Sequence, residues 1–168
     1  MIACQPDLGY STCFCRTVRQ SHLLYDPDGW FAALQSLARQ DYPETLRRNI
    51  IYHNHPVLRT IMTSYLHQIE NAVQRGDIVS IQHRLTALLA SYFDILFALN
   101  RVMHPGEKRL LTYAHKECAL LPEDMDTDLN TVLQAATSPG ADIVQALNHL
   151  LDRLDECLGM AGFDVTSG

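Results

Sequence analysis

"DIVSIQHRLTALLASYFDILFALNRVM", residues 77–103, is the stretch whose reading decides the fold. Gly76 stops whatever precedes it, and Asp77 supplies a carboxylate that can cap the amides of a new helix. Ile81, Leu85, Leu88, Leu89, Tyr92, Phe93, Ile95, Leu96 and Leu99 then cover well over half of that helix's circumference. A helix so apolar belongs at the centre of a bundle, because a surface helix needs only one apolar stripe.

The chain on either side supplies the partners. Upstream, "HPVLRTIMTSYLHQIENAVQRG" (55–76) sets Leu58, Ile61, Met62, Tyr65, Ile69 and Val73 on one stripe. Before it, "YPETLRRNIIYHN" (42–54) starts a helix at Pro43, and Pro56 predicts a kink or short break near His55. "DPDGWFAALQSLARQ" (26–40) opens on a capping carboxylate and points Trp30, Phe31, Leu34 and Leu37 at a core. Downstream come "EKRLLTYAHKECALL" (107–121), the acidic turn "PEDMDTD" (122–128) and "LNTVLQAAT" (129–137). Ser138-Pro139-Gly140 punctuates, and "ADIVQALNHLLDRLDECLGMAG" (141–162) closes with Ile143, Leu147, Leu150, Leu151, Leu154 and Leu158 on its inner face.

The expectation is an all-α, up-and-down helical bundle of about six helices over residues 26–162, with a short tail at 163–168. Residues 1–25 lack a helical period and predict extended or irregular backbone, with a strand near "SHLLY".

The chain has 168 residues, enough for one domain with a sizeable core, and 47% of them are hydrophobic. A net charge of -6 argues against a general nucleic-acid binder, although a local basic site remains compatible with it. No apolar run reaches the roughly 18 residues that span a bilayer, so no membrane partner and a cytoplasmic location are expected. Five cysteines without regular spacing make a poor disulfide framework. Cys4, Cys13, Cys15 and His22 offer four ligand types for zinc, but the single residue between Cys13 and Cys15 is too tight a spacing for a usual site. No metal site is expected.

The richest polar cluster closes the central helix: Asn100, Arg101, His104 and Lys108, around Pro105-Gly106. Asp94 and Arg101, two turns apart, share a helix face. Two readings follow. In the structural one, Asp94 and Arg101 form an ion pair while Asn100 and His104 satisfy helix-end carbonyls. In the functional one, Arg101 and Lys108 meet phosphate or carboxylate oxygens and Asp94 accepts a proton. A second constellation, Arg48 and His53, matches the spacing of the arginine–histidine motif in HEPN-domain ribonucleases, helical bundles that cleave RNA. Five residues set the pair about 140° apart on a regular helix, so that reading needs a break before Pro56 to bring them together. His67 and Glu70 can touch at three-residue spacing, a solvated helix face by default.

"HLLYDPDGWFAAL" (22–34), "YPETLRR" (42–48) and "YFDILFALNRVMHPGEKRLL" (92–111) together resemble the C-terminal helical region of bacterial nucleotidyltransferase-fold proteins. That region is catalogued as a domain of unknown function, DUF4037, and is more distantly similar to the helical half of aminoglycoside nucleotidyltransferases. The resemblance implies an α/β catalytic domain ahead of the helices, with residues 1–25 as its remnant edge. Such a domain carries a G-S motif followed by a D-x-D pair for two metal ions. Here the D-x-D strings Asp124-Met125-Asp126 and Asp126-Thr127-Asp128 lack the preceding G-S.

The resemblance therefore implies an accessory, substrate-binding half that is not catalytic alone and works with a missing or separate catalytic domain. Mg and a nucleoside triphosphate would bind only with that domain. It makes Arg101 and Lys108 cations for nucleotide or acceptor, Asn100 and His104 positioning groups, Asp94 the candidate base and Glu70 a poorer one. An apolar stripe left uncovered by the missing domain would drive homodimerisation.

Overall fold

A computed structural model describes residues 12–138 and 140–165. The architecture is all-α, and eight helices rather than about six lie among the described residues. They are α1 (Thr12–Gln20), α2 (Trp30–Ala38), α3 (Glu44–Arg59), α4 (Tyr65–Arg75), α5 (Ile78–Leu99), α6 (Leu110–Glu117), α7 (Met125–Ala135) and α8 (Ala141–Met160). Of the zinc candidates, Cys4 lies outside the described residues, as do Pro139 and the end of the tail.

The central helix behaves as its sequence demands. Gly76 ends α4 in a left-handed conformation at φ 65, which a residue without Cβ adopts freely. Asp77 then accepts the Ser80 amide at 3.1 Å and the Ser80 hydroxyl at 2.6 Å. Along α5, Ile81, Leu88, Tyr92, Ile95, Leu96 and Leu99 are wholly buried. Its neighbours are α3, α4 and, less extensively, α6, while α7 and α8 pair with each other and α8 also meets α4.

Three expectations are corrected. Pro56 does not break α3, which runs on to Arg59, and the Thr60 and Ile61 amides both reach the Pro56 carbonyl at 3.1 Å. Tertiary packing holds the helix through its proline: Ile50, Ile51 and Leu58 are buried on both sides of it. His55 and Arg59 also bind Asp155 of α8, His55 at 2.6 Å.

The stripe through Ile61 and Met62 is interrupted, because α3 ends before them and Ser64 caps a separate α4; Met62 is 84% exposed.

The N-terminal segment is irregular only in part. Thr12–Gln20 is helical, and the stretch around "SHLLY" forms no strand. This helix pairs with α2 instead of with a sheet, tied through the Gln35 amide, which donates to the Val18 carbonyl at 3.0 Å and to Ser21 at 2.6 Å. As a result α2 packs on α1 more than on the bundle, and Trp30 and Leu37, expected in the core, stand 69% and 58% exposed.

Candidate functional site

The polar cluster at the end of α5 is built by a helix end that ought to carry glycine. Val102 donates to the Phe97 carbonyl at 2.9 Å and Arg101 to Ala98 at 3.0 Å, the paired bonds that close a helix through a left-handed residue. That residue is Arg101, at φ 56. A side chain there costs on the order of 1 kcal/mol relative to glycine.

From that backbone the Arg101 guanidinium turns away from Asp94 and binds Glu44, at 2.9 and 3.2 Å. The Asp94–Arg101 ion pair is thereby replaced. Glu44 also accepts Arg47 at 2.9 Å and has Arg48 at 3.9 Å, so three arginines surround one carboxylate. The Arg47 hydrogen bond, opposed by desolvation and helped by Arg101, holds the Glu44 carboxyl below its usual range. Arg47 itself is buried: it donates to the Leu99 carbonyl at 3.0 Å and lies over the Phe163 ring. Arg48 and Arg101 keep more than half of their side chains in solvent.

Asp94 faces His104 instead. The carboxylate oxygen lies 3.8 Å from His104 Nε2, too far for a hydrogen bond, and both side chains are nearly sealed from water. The Gly106 amide donates to His104 Nδ1 at 3.1 Å, so the neutral ring carries its proton on Nε2, the nitrogen turned to Asp94. Burial raises the Asp94 carboxyl to about 7. Burial, with the Arg16 charge second, lowers His104 to about 4. Asp94 Oδ1 has no hydrogen-bond partner. The pair holds its protons where a base would be useful near neutrality, but behind a wall of protein.

That wall is α1, whose contribution the sequence did not announce. Thr12 Oγ accepts the His104 amide at 2.8 Å. Arg16 forms a fork with both carboxylate oxygens of Glu117, each at 2.7 Å, donates to the Met103 carbonyl at 3.1 Å and covers the Tyr113 ring. One buried guanidinium thus joins α1, the 103–104 turn and α6. The arginine lies in a segment whose sequence was expected to be extended or irregular, and its partners lie 87 and 101 residues away.

The other candidates are dispersed. The Asn100 amide donates to the Leu96 and Leu120 carbonyls at 2.9 and 2.8 Å, and its oxygen accepts the Leu120 amide, so it pins the loop after α6. Lys108 is exposed. Glu70 lies beside His67 at 3.2 Å on the surface of α4. Arg48 and His53 stay on an unbroken α3, about 140° apart by helical geometry, and both are exposed. A separate buried pair, Tyr92 Oη and Asp128 Oδ2, has no hydrogen-bond partner, and His149 approaches the other Asp128 oxygen at 3.5 Å.

Between the α1–α2 hairpin and the start of α3 lies a cavity of about 350 Å³. Val18, Leu34, Leu37, Leu46 and Met103 give it apolar walls, with Tyr42 and Pro43 towards α3. Two lining residues adjoin the arginine cluster in the chain: Pro43 precedes Glu44, and Met103 follows Arg101 by two positions.

In comparisons with known proteins, a family described as a domain of unknown function (DUF4037) matches residues 12–110, from α1 to the start of α6. No curated protein and no solved structure matches.

Proposed function

The chain belongs to the DUF4037 family, and from that premise we propose that it is the accessory, substrate-facing half of a nucleotidyltransferase, lining the cleft for nucleotide or acceptor while a separate domain performs the chemistry. The observation that carries this reading is Arg101 in a left-handed position. An arginine kept where glycine is cheaper, among three arginines on one carboxylate, has a stability cost that ligand binding would explain. Glu44 neutralises one of these charges, leaving a local surplus for phosphate oxygens on a chain of net charge -6. Lys108, exposed just before α6, is a further cation seven positions along the chain from Arg101. Asp94 is the reserve base, reachable only if the contacts of α1 with the 103–104 turn open. The catalytic partner would bring the two metal ions, and the apolar residues exposed on α1 and α2 suit a protein partner or a second copy.

The test pairs this chain with the reading frame, upstream in frame or in the neighbouring gene, that encodes a G-S motif followed by D-x-D. With Mg and labelled ATP, the two together should transfer nucleotide and each alone should not. Arg101→Gly in the pair should weaken nucleotide binding by about tenfold while leaving the Tm unchanged or higher. A fall in Tm with unchanged binding would make Arg101 structural, and inactivity of the pair would sink the reading.

A further inference from the structure

We infer that the cavity between the α1–α2 hairpin and α3 binds a small monocation with an apolar body, an arylalkyl ammonium in chemical class, with the apolar part inside and the ammonium on Asp41. The site is separate from the arginine cluster around Glu44 and does not depend on the nucleotidyltransferase reading. The volume, about 350 Å³, falls in the range of roughly 300–1,000 Å³ typical of small-molecule sites. Ala38 and Leu46, 7% and 5% exposed, are dry walls, whereas Gln40, Asp41 and Pro43 are exposed and mark the mouth. The hairpin is not free to collapse into this space. Gln35 fixes α1 to α2, while Arg16 and Thr12 bolt α1 to the turn at 103–104.

Charge decides which ligand enters. Among the described residues of the walls, Asp41 carries the one formal charge, and it is negative. Tyr42 beside it lines the cavity with an aromatic ring, whose face attracts cations. The last turn of α2 brings Leu37 and Ala38 to the same walls, so the negative end of that helix adds to the carboxylate. The Ala38 carbonyl there accepts the Cys15 thiol, a weak donor, at 3.9 Å. At the start of α3 the opposite pole is answered by Glu44, the acidic residue of its first turn. The turn that presents Asp41 is also stiff, since Tyr42 packs against the core and Pro43 fixes its own φ. An ammonium therefore meets a placed carboxylate, while its apolar body displaces water from between Leu34, Leu46 and Met103.

The probes are phenylbutylamine, phenylbutanol and phenylbutanoate, one apolar body with a positive, a neutral and a negative end. Each is titrated calorimetrically into the full chain at neutral pH. The amine should saturate at one per chain and bind about fivefold tighter than the alcohol, an exposed ion pair being worth up to about 1 kcal/mol. The acid should bind weakest. Asp41→Asn should remove most of the preference for the amine without weakening the alcohol, and added salt should do the same. Leu34→Trp, which fills the cavity from a half-buried position, should weaken amine and alcohol alike by at least about tenfold. Ala38→Leu, filling from the adjacent wall, should act in the same direction if the tryptophan variant fails to fold. Equal binding of amine and alcohol, or tighter binding of the acid, overturns the inference. So does amine binding that survives cavity filling and disappears in Phe14→Ser with Trp30→Ser, which would move it to the exposed face, and so does the absence of saturable binding.

Discussion

Asp94 and His104 are displaced in opposite directions by the same burial, and the signs decide what pH does to the fold. The Asp94 carboxyl, ordinarily at 3.8, is raised to about 7, so it favours the folded state below pH 3.8 relative to neutrality and loses that benefit as pH rises through 7. His104, ordinarily at 6.5, is lowered to about 4, so its contribution is present above pH 6.5 and is lost as pH falls towards 4. Between these limits the folded chain holds one proton on Asp94 while the unfolded chain holds one on His104, and the two slopes nearly cancel. Asp94→Asn should uncover the histidine. Its stability should fall as pH drops from 6.5 to 4.5, and at pH 8 it should exceed that of the parent by about 1–2 kcal/mol, since no buried carboxylate has to ionise. Urea unfolding at four pH values measures this; a parallel pair of curves would show that Asp94 is solvated.

At the scale of elements, α1 is held to the bundle by few groups. The Arg16 side chain is 10% exposed and Glu117 27%. Replacing Arg16 with alanine strands a carboxylate and frees the Met103 carbonyl, at a cost of about 2–4 kcal/mol. Arg16→Lys should recover little, because a point charge cannot occupy both oxygens of the fork. Hydrogen exchange should locate the damage in α1 and at His104, with α5 and α8 still protected; uniform loss of protection would place α1 in the core folding unit. The same contacts explain why Pro56 is tolerated in α3: a helix braced by buried residues on both sides of its proline and bonded to α8 at His55 and Arg59 can forgo one amide.

For the whole molecule, the uneven cover of the surface has a consequence in solution. Leu24, Tyr25, Trp30 and Phe14 are 95%, 85%, 69% and 71% exposed, all on α1, α2 or the segment between them. Scattered apolar residues need no explanation, but this concentration on one hairpin does. The chain by itself should therefore self-associate with rising concentration, and Leu24→Ser with Trp30→Ser should shift it towards monomer in sedimentation equilibrium without lowering the Tm. A monomer at every concentration would mean that this face needs no cover.

Much of this fold is written locally. The cap at Asp77, the stop at Gly76 and the apolar circumference of α5 are short-range instructions, so helix type and the central position of residues 78–99 followed from sequence alone. The DUF4037 membership was likewise legible in three short strings of residues. The site was not. Which carboxylate meets Arg101 depends on where the first turn of α3 lies beside the end of α5, and that is set by core packing between helices more than 50 residues apart. The partners of Arg16 and His104 are equally remote, and no periodicity encodes them. Helical period reports which face turns inward, but only tertiary packing decides which charges meet there and which apolar face is left bare.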